Sequence, residues 1–387
     1  MWRDLLGLAA LGAWLKLVFA HGRFWRYGPV LKPAGALARS PDVAIVVPAR
    51  DEAETIAACV ESLLGQDYDG PVSVFVVDDR SGDGTGAIAR AVPDPQARLT
   101  VIEGRDRPAG WSGKLWAVHQ GVQAALERLG ADAFILLTDA DIIHDPAHLR
   151  TLVGKAQAER LDLVSEMVRL KCESAAERAL VPAFVYFFAM LYPFARINDP
   201  ASPVAGAAGG TMLVRRMALE RIGGIEALRG ALIDDCTLAA HVKRTGGALY
   251  LGHSELAWSK RPYEGAGDIW RMIARTAYVQ LRYSPLLLLG TVLGLALVWF
   301  APMGLALFGR GRARLFGALA WGLSMASFAP TLRRFGQPFW RALPLPLVAG
   351  FYMAATIGSA IDHHRGKGVR WKDRAYTEPV HGGGMQA

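Results

Sequence analysis

Three apolar runs, residues 286–308, 315–332 and 342–361, constrain this chain more than any other feature, because each approaches the ~20 residues an α-helix needs to cross a bilayer. They predict transmembrane helices across 286–361. The apolar excess is concentrated there, whereas residues 41–178 read as a water-soluble domain. A chain of 387 residues has room for one α/β domain of ordinary size beside a membrane part. Residues 5–20 are apolar except for Lys16 and are flanked by Arg3, His21 and Arg23, which predicts an N-terminal membrane anchor over 1–22. A cleavable signal peptide ending at Val18-Phe19-Ala20 is the alternative. Residues 179–195, broken by Pro182 and Pro193, are short for a span, and acidic motifs on both sides must share one compartment if they share one site. That segment reads as an interfacial helix.

The formal charge is +8, but Lys and Arg gather at the ends of apolar segments: Arg23 and Arg26; Arg310, Arg312 and Arg314; Arg333 and Arg334; Arg365, Lys367 and Arg370. Without a basic stripe interleaved with aromatics, they fit headgroup and topology contacts, and no nucleic-acid partner is expected. Three spans after a cytoplasmic domain would carry the basic tail, 362–387, outside, against the positive-inside tendency; either one run is re-entrant or the tail breaks the rule. Cys59, Cys172 and Cys236 have neither metal-type spacing nor an even count, which favours a reducing compartment.

From Pro41 the pattern alternates short strands (43–47, 72–77, 99–103, 133–138) with amphipathic helices (53–64, 84–91, 114–129). This predicts an α/β, Rossmann-like, mostly parallel sheet with helices on both faces and chemistry at the carboxyl ends of the strands. Polar motifs stand at those ends. Pro48-Ala49-Arg50-Asp51-Glu52 follows the first strand, and Asp78-Asp79-Arg80-Ser81-Gly82-Asp83-Gly84-Thr85 the second. Carboxylates placed there can accept hydrogen bonds from a base N–H and ribose hydroxyls. Two aspartates ahead of Gly82-x-Gly84-x-Gly86 would repel a pyrophosphate, which argues against a dinucleotide fingerprint.

Thr138-Asp139-Ala140-Asp141 follows an apolar strand. In an extended segment alternate side chains share a face, so Asp139 and Asp141 together would suit Mg²⁺ or Mn²⁺ bridging a diphosphate. Gly110-Trp111-Ser112-Gly113-Lys114 opens a helix whose first N–H groups, with Lys114, make a phosphate cradle; it lacks the spacing of a P-loop and the second glycine of a hydrolase elbow. Ile233-Asp234-Asp235-Cys236 precedes another helix. Capping needs one acid, Asp234, and leaves Asp235 to take a proton from an acceptor hydroxyl, its basicity tuned by its neighbour.

Taken in order, P-A-R-D-E, V-D-D-R-S-G-D-G-T, G-K-L-W-A, D-A-D, G-G-T-M-L-V-R-R (from Gly209) and I-D-D-C-T-L resemble glycosyltransferase family 2, from about Val43 to Tyr283. G-W-S-G-K-L-W-A-V, the stretch from Cys172 to Phe184, G-A-L-I-D-D-C and the stretch from Ala277 to Leu288 look like the hopene-associated glycosyltransferases of bacterial hopanoid gene clusters, over nearly the whole chain. The resemblance implies a GT-A domain over 41–283 and a membrane-bound inverting enzyme. It implies a nucleotide-diphosphate sugar donor, UDP by family habit, and a hopanoid-like lipid acceptor. The donor would be held by Pro48, Arg50, Glu52, Asp78, Asp79, Lys114 and Asp139, and the metal by Asp139 and Asp141. The acceptor side would lie at Gly209 and Gly210, with Asp235 as base and Asp234 beside it. Gln280-Leu281-Arg282-Tyr283 is similar to the Q-x-x-R-W motif of membrane relatives, one residue shorter and ending in Tyr, which carries Arg282 and Tyr283 into the donor set. A cytosolic donor favours the anchor reading of 1–22 and a multi-pass inner-membrane protein whose catalytic domain faces the cytoplasm. A processive polysaccharide synthase and a non-catalytic membrane scaffold are the competing readings. The second is opposed by acidic motifs in which no carboxylate has decayed.

Overall fold

The computed structural model describes residues 1–366 and two short strands, Arg370–Trp371 and Arg374–Ala375, so most of the basic tail expected at 362–387 lies outside the described residues. The chain divides into two compact units. One comprises Pro29–Lys171, Arg196–Pro262 and Arg370–Ala387; the other comprises Met1–Gly28, Cys172–Ala195 and Tyr263–Val369.

The first unit is built on an eight-stranded sheet of order β3-β2-β1-β4-β7-β6-β8-β5. Its strands are β1 (Val43–Ala49), β2 (Val72–Asp78), β3 (Leu99–Glu103), β4 (Phe134–Thr138), β5 (Ile142–His144), β6 (Leu163–Arg169), β7 (Thr211–Arg215) and β8 (Leu249–Ser259). β3, β2, β1 and β4 run parallel, as the alternating pattern predicts. β7 is antiparallel to both β4 and β6, β6 is parallel to β8, and β5 is antiparallel to β8, so the second half of the sheet is mixed. β1 is buried along its whole length, which is why it reads as a continuous Val/Ile run. Pro48 sits in it without penalty because pairing with β4 ends at Val46, leaving no ladder there to need its missing N–H.

Helices cover both faces. Val43, Ile45 and Val47 pack with the helices Ile56–Leu64 and His148–Ala158. The opposite face receives the helix Gly113–Leu126, and Gly121 allows its close approach: a Cβ there would stand 2.5 Å from Val46 and 3.0 Å from Val77. The helices expected at 53–64 and 84–91 form as Ile56–Leu64 and Thr85–Arg90, shortened at the start by loops described below.

The second unit is helical. Trp2–Ala20 packs through Trp14 and Val18 into an aromatic-rich cluster with Phe24, Tyr186, Trp299 and Phe328. Among the described residues, four helices are long and apolar enough, by length and composition, to cross a membrane: Ala175–Ile197, Pro285–Phe308, Gly311–Arg334 and Leu345–His364. Ala175–Leu191 starts with a capping box in which Ser174 and Glu177 satisfy each other's backbone amides. Pro285–Phe308 contains one π-helical turn, Ala296–Phe300, and the Trp14 indole donates to the Val298 carbonyl within it at 2.7 Å. Pro330 lies inside the Gly311–Arg334 helix and does not end it.

Candidate active site

The loops after β1 and β2 are sewn together. The Asp51 amide donates to Ser81 Oγ at 3.0 Å, that of Gly82 to Asp51 Oδ1 at 2.9 Å, that of Glu52 to Thr85 Oγ1 at 2.8 Å and that of Ala53 to Asp83 Oδ2 at 2.9 Å. Asp51 and Arg80 both adopt left-handed backbone, at φ 50° and 57°, a strain of about 1 kcal/mol or more each that these bonds hold in place. Burial works against the charge on Asp83, but hydrogen bonds from the Thr85 hydroxyl and the Ala53 and Thr85 amides outweigh it and hold its carboxyl below the ordinary value. Of the two aspartates expected at the nucleoside, Asp78 accepts from the Ser81 amide at 3.0 Å and from the Ser81 hydroxyl. Asp79 is fully buried against Arg50, whose Nη1 stands 3.5 Å from its carboxylate. Arg50 and Asp79 thus brace the two loops against each other, and Asp78 shapes the turn after β2.

The Asp139–Asp141 motif differs from the expected extended geometry. β4 ends at Thr138, and the Ile142 amide donates back to the Asp139 carbonyl at 3.2 Å, so the two acids sit on a tight turn between β4 and β5. They remain close: burial first, and then Asp141 against the pull of Lys114, keeps the Asp139 carboxyl above its ordinary value.

Lys114 joins the motifs. The helix Gly113–Leu126 starts where expected, capped by Ser112 Oγ accepting from the Leu115 amide at 3.1 Å, and this fixes Lys114 in the first turn. Its Nζ lies 2.9 Å from Asp139 and 3.3 Å from Asp234. Burial alone would lower its pKa, yet Asp139 and Asp234 outweigh burial and the ammonium is held firmly charged. Pro48, Leu137, Met212, Ile225, Leu228 and Leu238 wall the space beside these groups, a low-dielectric lining that strengthens the ion pairs.

Asp234 is not the helix cap. The helix runs Asp234–Arg244 with Ile233 at the cap position, so both acids occupy the first turn, where the helix dipole favours negative charge. Asp235 accepts from the Cys236 amide at 2.7 Å and from the Gly209 amide. Burial and then Asp234 push its pKa up to about 6. Gly209 packs closely on Asp235, since a Cβ would sit 3.2 Å from its carboxylate and push it aside by a few tenths of an ångström; Gly210 packs as closely on Val168.

Arg261 escaped the sequence reading. It follows β8, donates through Nε to Asp141 at 3.0 Å and pairs through Nη2 with Glu52, so it ties the first loop to the Asp139–Asp141 turn. Ser259 shares the same Asp141 oxygen at 3.1 Å. No local motif marks Arg261, because its partners lie 120 and 209 residues away. Arg282 and Tyr283, by contrast, belong to the helical unit and are not among the residues the α/β unit brings together. Both have left-handed backbone, and the Tyr283 ring stacks on His363 with centroids 4.4 Å apart.

The donor set fits a hard divalent cation only in part. Asp139 and Asp141 offer carboxylate oxygens from one turn, with Lys114 and Arg261 each taking one of them. Among the described residues no three His, Cys, Asp or Glu side chains form a group that could hold a metal ion. Asp139 and Asp141 are the two carboxylates of this turn that could face such a cation, and a diphosphate with water would have to complete its shell.

A sheet whose parallel half presents acidic and basic turns at the ends of β1, β2 and β4, extended by a mixed half, is the GT-A architecture. Residues 44–223 match the model of Glycosyl transferase family 2, and the chain carries a glycosyltransferase domain of that family. It is 36% identical over 155 residues to the succinoglycan biosynthesis protein ExoO of Rhizobium meliloti (strain 1021), covering 38% of this chain and 41% of that one. An N-acetylglucosaminyltransferase of Azorhizobium caulinodans is 37% identical over 89 residues, 21% of this chain and 22% of its own. The chain thus spans less than half the length of these curated relatives. The solved mannosyltransferase PcManGT from Pyrobaculum calidifontis, in complex with GDP-Man and Mn²⁺, has a TM-score of 0.55 at 20% identity, covering 93% of this chain and 99% of that one. At that identity the likeness is one of fold.

Proposed function

We propose that the protein is an inverting glycosyltransferase of the inner membrane, which moves one sugar from a nucleotide-diphosphate sugar to a lipid acceptor at the cytoplasmic face, with a hopanoid or related polycyclic lipid as that acceptor. The observation that carries this reading is Lys114, which draws Asp139 of the metal turn and Asp234 of the base pair around one ammonium. The membrane assignment is supported by Pro285–Phe308, of which 11% is buried, with Leu286, Leu293 and Phe308 turned outward.

In this reading Lys114 moves its charge from the carboxylates towards the departing diphosphate, and Asp235 accepts the proton of the acceptor hydroxyl as that oxygen attacks the anomeric carbon from the opposite side. The Gly209 and Cys236 amides hold the Asp235 carboxylate in its rotamer. A divalent cation bound by Asp139 and Asp141 would supply charge neutralisation to the leaving group. No enzyme nucleophile is needed, which leaves a single inversion.

Incubating the detergent-solubilised protein with UDP- and GDP-sugars, Mg²⁺ or Mn²⁺ and a hopanoid extract tests the reading by lipid mass. One added hexose or N-acetylhexosamine, lost with EDTA, is the expected result. Donor turnover without any hopanoid product would remove the acceptor, and a ladder of added sugars would favour processive synthesis, a reading supported by the name of the Rhizobium meliloti relative.

The base assignment also fixes a pH dependence. Asp235 works deprotonated, so kcat/KM, which reports the free enzyme, should be level above pH about 6 and fall about tenfold per unit below it, with a one-proton slope. The sign for stability is opposite. A carboxyl that binds its proton more tightly folded than unfolded supports the fold at low pH and withdraws that support as pH rises through about 6. A profile flat from pH 7 to 5 would contradict the assignment.

A further inference from the structure

Behind the metal turn, a chain of buried polar groups crosses the α/β unit. Ser254 Oγ donates to Glu166 Oε2 at 2.8 Å, and His148 Nε2 stands 3.1 Å from the same oxygen. His148 Nδ1 faces His144 Nδ1 at 2.8 Å, His144 Nε2 lies 3.0 Å from Thr138 Oγ1, and Thr138 Oγ1 donates to the Gly210 carbonyl at 2.8 Å. None of Glu166, His148, His144, Thr138 and Ser254 is more than 3% exposed, so water cannot stand in for a missing hydrogen.

Counting hydrogens along this chain gives a definite result. With Glu166 as a carboxylate and both imidazoles neutral, His148 must donate to Glu166 through Nε2 and accept at Nδ1 from His144. His144 is then bare at Nε2 and needs the Thr138 hydroxyl hydrogen, which leaves two acceptors, Thr138 Oγ1 and the Gly210 carbonyl, facing each other at 2.8 Å. One more proton, on His148 or equivalently on Glu166, satisfies every link: His148 donates through Nδ1 to His144, His144 through Nε2 to Thr138, and Thr138 to Gly210.

We propose that Glu166, His148, His144 and Thr138 are positioning residues that store this extra proton and use it to hold the Gly209–Gly210 segment against Asp235. The inference rests on Asp235 being the base, because the Gly209 amide is one of the two that orient its carboxylate. A second hydroxyl acts in parallel: Ser165 Oγ accepts from the Ala208 amide at 2.9 Å and donates to the Ala208 carbonyl at 3.0 Å, so residues 208 and 210 are both pinned. Burial and the neighbouring His148 keep the His144 pKa well below its ordinary value, consistent with a relay that holds one hydrogen.

The test has two arms. In ¹⁵N-histidine NMR of the full chain in detergent, His144 is expected as the Nε2–H tautomer with His148 protonated at Nδ1. His144 in any other state overturns the proposal, whatever the activity. In kinetics, Thr138→Val should lower kcat on the order of 10- to 100-fold with donor KM little changed, because the base is misplaced and not removed. Thr138→Ser, which keeps the hydroxyl, should restore turnover; wild-type kcat in Thr138→Val would overturn the positioning role. A wild-type pH profile flat from pH 7 to 5 would refute the base assignment itself, and the histidine spectrum would still decide the proton count.

Discussion

Replacing Asp235 by Asn is expected to lower turnover by roughly 10²- to 10⁴-fold while donor binding persists. The exchange is nearly isosteric, and an amide oxygen can still accept from the Gly209 and Cys236 amides, so the geometry of the helix start survives. What disappears is the ability to take a proton at neutral pH. Single-turnover lipid mass analysis beside calorimetric titration of the donor separates the two effects. Retained turnover would move the base elsewhere, and lost donor binding would make Asp235 part of the nucleotide pocket.

Lys114→Met carries the second large effect. One ammonium stands between Asp139 and Asp234 and also feels Asp235, and its removal leaves three acids with no cation of their own in a half-buried space. A loss of about 2–3 kcal/mol in stability is expected from the unpaired charged hydrogen bonds, and donor affinity should fall sharply. Mg²⁺ should recover part of the lost stability, since a dication can replace the missing positive charge. Thermal unfolding with and without Mg²⁺ checks this. A variant as stable as the wild type, and indifferent to the ion, would mean that Lys114 is merely exposed and holds nothing together.

The parallel half of the sheet was legible because β1 to β4 are short apolar runs separated by helix-period segments, a purely local signal. The mixed half was not. β8 spans eleven residues, but His253, Ser254 and Glu255 interrupt its apolar alternation. Ser254 is tolerated inside only because Glu166, 88 residues earlier, accepts its hydrogen. The same limit hid Arg261 and the histidine chain, whose meaning lies entirely in partners supplied by tertiary structure. Where sequence logic assigned a local role, structure sometimes changed it. Asp234 looked like a helix cap but is a counter-ion, since Lys114 competes for it from another helix, and the strand that would have aligned Asp139 with Asp141 stops one residue short of them.

The stitched loops after β1 and β2 bear on how such a chain can diverge. Four backbone amides, at residues 51, 52, 53 and 82, are satisfied by side chains of the opposite loop, so the conformation of each depends on the other. A change at Ser81, Asp83 or Thr85 frees an amide on the other loop and invites a matching change there. On the proposal that these loops hold the donor's base, lineages that shift their preference for it should therefore alter both in coordinated sets. Libraries that randomise one loop alone should return mostly unfolded pockets, whereas grafting both from one parent should carry its preference intact.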